Sequence, residues 1–150
     1  MHGLRLEEFN EHSDSPVPRP RPGVMVVKVM AAGFYHTETV TMSGNYEGIT
    51  LPVVPGHESV GVVAAAVGEC VTEFKVGDRV GTTTFCFSCG KCDDCQKGIS
   101  NYCDSVQAAG FTVDGGTAEY MRCDPVWTVK LPHTMPFEKA APLMCAGSTI

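Results

Sequence analysis

Short runs of β-branched and apolar residues recur along the chain, and most of them are bounded by Gly or Pro. Such runs are typical of strands, because branched side chains pack well on a pleated surface. They predict strands over residues 24–29, 59–67, 118–121 and 126–131, a turn into a further strand at 76–80, and a short edge strand within residues 1–10.

The segments between these runs predict surface connections and two short helices. Residues 11–23 carry four alternating prolines, which favour an extended surface connection. Residues 33–43 lead into a helix with Thr37 as its predicted N-cap. Residues 137–145 are rich in alanine and predict a second helix, which Pro142 interrupts. The pattern predicts a mainly β fold, a barrel or a sandwich, with an inserted metal lobe.

Composition narrows the function classes. The chain has 150 residues and a formal net charge of −6, which argues against a nucleic-acid partner because phosphate backbones need a basic face. The longest apolar run, residues 60–68, is too short to span a membrane. The first residues lack the apolar core of a signal peptide, so we expect a cytoplasmic protein with reduced thiols.

Four cysteines lie within 15 residues, and three of them recur at every third position. They are Cys89, Cys92, Cys95 and Cys103. Four thiolates at this loop spacing can close a tetrahedron around a structural Zn²⁺. Disulfides are disfavoured in a reducing compartment. An iron–sulfur cluster is the other alternative, but the ferredoxin pattern places its fourth cysteine after three residues, and here seven intervene.

A second set of candidate metal ligands comprises His57, Glu58 and Cys145. An imidazole, a carboxylate and a thiolate can together hold Zn²⁺ and leave one position open for water or substrate. The sequence alone does not show that positions 57 and 145 converge. Taken singly, a cysteine in an alanine-rich segment is more often a small core residue.

Seven motifs occur in one order along nearly the whole chain. They are Val26-Val27-Lys28-Val29, Gly33 with His36-Thr37-Glu38, Gly56-His57-Glu58 with Gly61, Val76-Gly77-Asp78-Arg79-Val80, the four-cysteine loop, Asp114-Gly115-Gly116 with Glu119-Tyr120, and Ala140-Ala141-Pro142 with Cys145 and Gly147. In this order the chain resembles the zinc-containing alcohol dehydrogenases of the medium-chain dehydrogenase/reductase superfamily. The resemblance implies the GroES-like β-barrel of that family's N-terminal catalytic domain over residues 1–150.

The resemblance also implies roles for individual residues. The four-cysteine loop corresponds to the family's structural zinc site. The family's active zinc is held by a Cys, the His of Gly-His-Glu and a second Cys; the last two correspond to His57 and Cys145, with Glu58 as a nearby carboxylate. Thr37 corresponds to the hydroxyl that relays the alcohol proton, and His36 to a position that faces the cofactor pyrophosphate.

Three departures from the family pattern affect these expectations. Tyr35 stands where the family has the first zinc-binding cysteine, and a phenol is a poorer zinc ligand than a thiolate. We therefore expect one structural zinc and a weakened active-type site, which Glu58 or Tyr35 would complete. The chain also ends at Ile150 without a Gly-x-Gly-x-x-Gly motif, so we expect NAD(P) to bind only in the context of a missing Rossmann domain. Finally, the alanines at 64–66 lengthen a strand and predict a bulge.

Three functional classes follow. The first is a domain of an NAD(P)-dependent alcohol dehydrogenase that is inactive in this truncated form. The second is a repurposed enzyme that performs acid–base chemistry on a small molecule, such as isomerisation, dehydration or cyclisation, with His57 or Glu58 as base and Tyr35 as acid. The third is a self-associating or partner-binding domain with apolar surface around Leu143, Met144 and Ile150. Cys70, Cys86 and Cys123 are expected to be core or surface thiols.

Overall fold

A five-stranded antiparallel sheet forms the centre of the fold and is built largely from the predicted β-branched runs. The computed structural model describes residues 5–6, 12–13, 16–67, 69 and 71–148. The strands among them are β1 (Arg5–Leu6), β2 (His12–Ser13), β3 (Met25–Ala32), β4 (Ser59–Val67), β5 (Arg79–Thr82), β6 (Phe85–Cys86), β7 (Gln107–Ala108), β8 (Tyr120–Cys123) and β9 (Thr128–Lys130). The sheet has the order β8-β3-β4-β5-β9, and the pairs β1–β2 and β6–β7 lie outside it. The fold is mainly β, as predicted.

The pair of β3 and β4 contains the predicted bulge. Between the partners Met25–Val67 and Val27–Val63, two steps along β3 oppose four steps along β4. The extra residues of β4 lie at 64–66, where the run of alanines predicts the irregularity. This prediction is confirmed.

The sheet separates two hydrophobic clusters. Val63 and Val60 are three residues apart on β4, so their side chains face opposite sides of the sheet. Val63 packs in a cluster with Met25, Val27, Val80 and Met121, among others. Val60 packs with Leu131, Ala140, Ala141 and Met144. The C-terminal helical segment therefore covers one side of the sheet.

The first helix, α1 (His36–Met42), corrects the predicted N-cap. Its N-cap is Tyr35 and not Thr37. The reason is Glu38, whose side chain reaches back and accepts a hydrogen bond from the Tyr35 backbone N–H at 2.8 Å. This is one half of a capping box, which fixes the start of a helix three residues before the glutamate.

The C-terminal helix is shorter than predicted. α3 (Phe137–Ala140) continues only as 3-10 turns at Ala141–Met144 and Ala146–Ser148. Pro142 lacks a backbone N–H, so a regular α-helix cannot pass through it. The predicted exposed apolar surface is also corrected in part: Leu143 is 42% exposed, but Met144 is buried. Ile150 lies outside the described residues.

The strand predicted over residues 126–131 is likewise shortened. Pro125–Trp127 form a 3-10 turn before β9 begins at Thr128. The carboxylate of Asp124 accepts a hydrogen bond from the Val126 N–H at 2.8 Å and thereby stabilises the turn. Within residues 1–10, where an edge strand is predicted, the structure describes only Arg5–Leu6, which form β1. The rest of that predicted strand, and Cys70, lie outside the described residues.

Candidate metal centres and active site

The four-cysteine loop forms a lobe that leaves and re-enters the domain through a small hairpin. β6 and β7 pair antiparallel, and residues 87–106 lie between them. The lobe contains the helix α2 (Asp93–Gln96) and a 3-10 turn at Ser100–Tyr102. Gly90 and Gly98 adopt φ of 70° and 78°, a conformation that glycine reaches without strain.

The lobe brings its four thiols together. The Sγ atoms of Cys89, Cys92, Cys95 and Cys103 all lie within 4.8 Å of one another, and those of Cys89 and Cys95 are 3.9 Å apart. Zn–S bonds of about 2.3 Å in a tetrahedron place sulfurs about 3.8 Å apart, so the donor set fits zinc. Backbone N–H groups of Lys91 and Cys92 lower the pKa of Cys89 to about 6, which favours the thiolate that a metal binds.

Two other cysteines belong to the core. Cys86 and Cys123 are buried in the first hydrophobic cluster. Burial raises the pKa of Cys86 to about 12, and it also raises the pKa of Cys123 above the ordinary value of a thiol. Both thiols are therefore protonated and shielded at neutral pH.

The second site begins at the loop that carries His57. Gly56 has φ of 103°, and a Cβ atom there would lie 2.8 Å from the backbone N of Thr117. The neighbouring loop packs against this position: Gly116 N–H donates to the Gly56 carbonyl at 3.0 Å, and Thr117 N–H donates to the Pro55 carbonyl at 3.0 Å. Glycine at position 56 therefore permits the close approach that directs His57 inward.

His57 is buried and held by a second buried residue. Its Nδ1 lies 2.6 Å from Oε1 of Glu38, and the two side chains are 3% and 1% exposed. Burial alone would raise the pKa of Glu38, but the hydrogen bonds from His57 and from the Tyr35 N–H outweigh it and lower that pKa. The ionised carboxylate accepts a hydrogen bond from the Nδ1–H group of His57. The proton is then on Nδ1, and the lone pair of Nε2 is free for a ligand.

Glu58 lies on the Nε2 side of His57. Its Oε1 is 3.9 Å from His57 Nε2. This oxygen is buried and has no hydrogen-bond partner among the described residues. Gly33 makes room for the carboxylate, because a Cβ atom there would lie 2.1 Å from Glu58 Oε2. A buried carboxylate oxygen without a partner is costly, and a bound cation would satisfy it.

Cys145 completes this set from the far end of the chain. One ligand atom each from His57, Glu58 and Cys145 lies within 4.8 Å of the others. The structure thus brings together positions 57 and 145, which the sequence alone could not place. An imidazole nitrogen, a carboxylate oxygen and a thiolate sulfur form a donor set that suits zinc with an open fourth position.

The remaining candidate residues lie at the start of α1. Tyr35 is 57% exposed, His36 is exposed, and Thr37 is half-buried. Within the described residues, no hydrogen bond joins the hydroxyl of Tyr35 or Thr37 to His57 or Glu58. The phenol of Tyr35 therefore does not fill the buried position that a zinc-binding cysteine would take.

A cavity of about 380 Å³ opens beside Cys145. Phe85 and Trp127 form an aromatic wall of this cavity, with ring centroids 5.8 Å apart. The indole Nε1 of Trp127 is buried and has no hydrogen-bond partner among the described residues. The cavity therefore has one aromatic side, and Thr83, Thr84 and Asn101 also give it polar groups.

Sequence reasoning missed three residues of this site: Glu38, Phe85 and Trp127. A glutamate three residues after a helix N-cap is a recognisable capping signal, and Glu38 has this position relative to Tyr35. The incorrect prediction of Thr37 as the N-cap kept this signal from being recognised. Phe85 and Trp127 are far apart in sequence, and no local pattern brings them together.

Comparisons with known proteins give the same picture. The family profile described as "Alcohol dehydrogenase GroES-like domain" matches residues 21–133. An alcohol dehydrogenase from Geobacillus stearothermophilus is 44% identical over 133 residues, which cover 88% of this chain and 39% of that protein. The structure of a cinnamyl alcohol dehydrogenase from Sorghum bicolor superposes with a TM-score of 0.86 and 32% identity, covering 98% of this chain and 45% of the other. A zinc-binding dehydrogenase from Sinorhizobium meliloti, bound to NADP, superposes with a TM-score of 0.82 and 32% identity, covering 93% of this chain and 41% of the other.

The mainly β fold and the four-thiol lobe define a zinc-binding β domain of the dehydrogenase type. The chain belongs to the zinc-type alcohol dehydrogenases of the medium-chain dehydrogenase/reductase superfamily and carries their GroES-like domain. It spans about two fifths of the length of the relatives it matches. Among the described residues, no helix is long and apolar enough to cross a bilayer.

Proposed function

We propose that this domain holds a catalytic zinc through His57, Glu58 and Cys145 and supplies the substrate side of an NAD(P)-dependent alcohol dehydrogenase. The observation that carries the proposal is the buried, unpartnered Oε1 of Glu58, 3.9 Å from His57 Nε2. A metal ion bound by the three side chains would neutralise this carboxylate. In this proposal, NAD(P) is bound by a nucleotide-binding domain outside residues 1–150.

Tyr35 changes which residues hold the metal. The family places a cysteine ligand at this position, but the phenol here is 57% exposed. Glu58 supplies a third donor in its place, because its side chain is already buried beside His57 and Cys145. Carboxylate oxygen is an accepted zinc ligand in catalytic sites that also use histidine.

The protein's own residues have separate tasks in the proposed reaction. Glu38 holds His57 in one tautomer and orientation, so that Nε2 faces the metal position. Thr37, half-buried near the start of α1, supplies the hydroxyl that takes the alcohol proton. When bound, zinc would polarise the alcohol oxygen, and NAD(P) would accept the hydride.

The aromatic cavity indicates the substrate class. Phe85 and Trp127 flank the space beside Cys145, and aromatic walls favour an apolar or aryl group next to the reacting carbon. Thr83, Thr84 and Asn101 also line this space and favour a substrate that carries a hydrogen-bonding group as well. We propose aryl or unsaturated primary alcohols and their aldehydes, and the structural likeness to a cinnamyl alcohol dehydrogenase supports this class.

Zinc per chain, measured by elemental analysis, tests the metal assignment. We expect two zinc ions in the natural chain, one in Cys145→Ser and one in Glu58→Gln. Cys89→Ser is the matched control and should lose the other ion. One zinc in the natural chain, unchanged by Cys145→Ser, would refute the proposed catalytic site and leave the non-redox acid–base activity of His57 and Glu58 as the better explanation.

A further inference from the structure

The proline-rich segment borders two adjoining cavities. The first, of about 340 Å³, is bordered by Arg19, Arg21 and Arg122; we name it the basic cavity. The second, of about 480 Å³, is bordered by Val26, Val62 and Ala64; we name it the apolar cavity. Val17, Pro18 and Tyr120 border both cavities, so the two cavities adjoin along shared walls.

The basic cavity concentrates positive charge in an acidic protein. The chain carries a formal net charge of −6, yet three arginines face this cavity against a single carboxylate, Asp114. Asp114 already accepts a hydrogen bond from the Val54 N–H at 3.0 Å. Among the described residues, no carboxylate lies within ion-pairing distance of Arg19, Arg21 or Arg122. Three guanidinium groups without anionic partners in this part of the chain favour an anion, which arginine binds through paired N–H donors.

The apolar cavity has the opposite character. Its lining is almost entirely aliphatic, with Lys28 as its one charged residue. Apolar surface of this kind is stabilised when an apolar group covers it. A ligand that satisfies both cavities therefore carries an anionic head and an apolar tail.

We infer that this surface is a binding site for an amphipathic anion, with the head at Arg19, Arg21 and Arg122 and the tail against Val26 and Val62. The head is a carboxylate or a phosphate monoester, since both match the guanidinium fork. The site is separate from the His57 site, and its occupancy does not depend on the proposed dehydrogenase function.

Calorimetric titration of the zinc-loaded chain tests the inference, with decanoate and decyl phosphate as probes below their micelle concentrations. We expect saturable binding of at least one of them, and the stronger one identifies the head group. Decanol, which has the same tail without a charge, should bind at least about tenfold more weakly, because a hydrogen bond to a charged group contributes at least that factor. Equal binding of decanol, or no binding of either anion, would overturn the inference.

Two pairs of variants locate the site. Arg19→Gln with Arg21→Gln should weaken binding of the anion at least about tenfold, whereas Lys97→Gln with Lys139→Gln, the same change of net charge at two exposed lysines, should leave it unchanged. Val17→Asp places a carboxylate in the shared wall and should also weaken binding about tenfold or more. Val126→Asp, at a side chain that is 76% exposed, is its control.

These variants change exposed side chains, so far-UV circular dichroism should show the natural fold in each. Arg122→Gln provides an independent test of the head position if one of the double variants loses that fold. Anion binding that is unaffected by both the arginine variants and Val17→Asp would place the ligand elsewhere and refute the site.

Discussion

Glu38 and His57 form a buried hydrogen-bonded pair, with 2.6 Å between Oε1 and Nδ1. The pair joins the first turn of α1 to the loop that packs against Gly115 and Gly116. It also fixes which nitrogen of His57 is free, and therefore which side of the ring can meet Glu58 and Cys145. In the proposed metal site, Glu38 is the residue that orients His57 toward the metal position.

The first prediction concerns this pair. In Glu38→Gln, the loss of the carboxylate should weaken zinc binding at the His57 site by about 10- to 100-fold, because outer hydrogen bonds to a metal-binding histidine contribute that factor. Zinc at the four-cysteine lobe should be retained. Competition with a chromophoric chelator measures both affinities in one titration.

The matched control for that variant is Glu73→Gln, which changes an exposed glutamate. It should leave both zinc affinities as they are in the natural chain. Equal loss of zinc from both sites in Glu38→Gln would mean that Glu38 supports the fold and not the histidine in particular.

The second prediction concerns pH. The pKa of Glu38 in the folded chain is lower than its ordinary value of 4.5. The ionised carboxylate therefore stabilises the folded state fully above that value, and the contribution is lost as pH falls through the folded pKa. As pH falls below 4.5, the free energy of unfolding should decline more steeply in the natural chain than in Glu38→Gln.

Urea denaturation at several pH values measures this difference. Both chains should carry Cys145→Ser, so that release of metal from the His57 site does not contribute to the slope. Identical pH dependence with and without Glu38 would contradict the lowered pKa. A steeper decline in Glu38→Gln would mean that the pKa of Glu38 is raised in the folded chain and not lowered.

The fold could be predicted from the sequence where the signal is local. The paired strands β3 and β4 are predicted by their β-branched residues, and the bulge between them by the alanines at 64–66. Both signals come from a few neighbouring positions in the sequence. The cysteine spacing predicts the lobe for the same reason: its four thiols lie within one short loop. The order of the motifs along the chain gave the family resemblance, and the resemblance gave the domain type.

The candidate site was harder to predict because it depends on contacts between distant segments. His57 meets Glu38 from 19 residues away, and Cys145 arrives from the C-terminal turns. The interruption of the helix at Pro142 determines where Cys145 lies, because 3-10 turns replace a regular helix there. Periodicity along the chain carries no information about such convergence, and the same limit hid the pairing of Phe85 with Trp127.

The third prediction concerns the space that Gly33 leaves for Glu58. In Gly33→Ala, the new Cβ would lie 2.1 Å from Glu58 Oε2, so the carboxylate must move. We expect destabilisation of about 1–3 kcal/mol, as for other overpacked sites, together with weaker zinc binding at the His57 site. Urea denaturation and zinc competition measure the two effects.

The double variant Gly33→Ala with Glu58→Ala separates these two effects. Removing the carboxylate relieves the steric conflict, so most of the lost stability should return. Zinc binding at the His57 site should stay weak, because one ligand is now missing. A double variant as unstable as Gly33→Ala alone would show that the glycine is needed for the backbone and not for Glu58.

The fourth prediction distinguishes the thiols of the zinc lobe from those of the core. After zinc is removed by a chelator, Cys89 and Cys95, whose pKa values are lowered in the lobe, lie without the central ion, whereas Cys86 and Cys123 stay in the hydrophobic core. Burial raises the pKa of both core thiols, to about 12 for Cys86, so few of them ionise at neutral pH. Because iodoacetamide attacks the thiolate, Cys89 and Cys95 should react faster than the core cysteines by more than about tenfold. Peptide mapping by mass spectrometry measures each rate, and a sample unfolded in guanidinium, where all thiols react, is the control. Equal modification of Cys86 and Cys89 in the chelated chain would mean that the sheet core depends on the zinc lobe and unfolds with it.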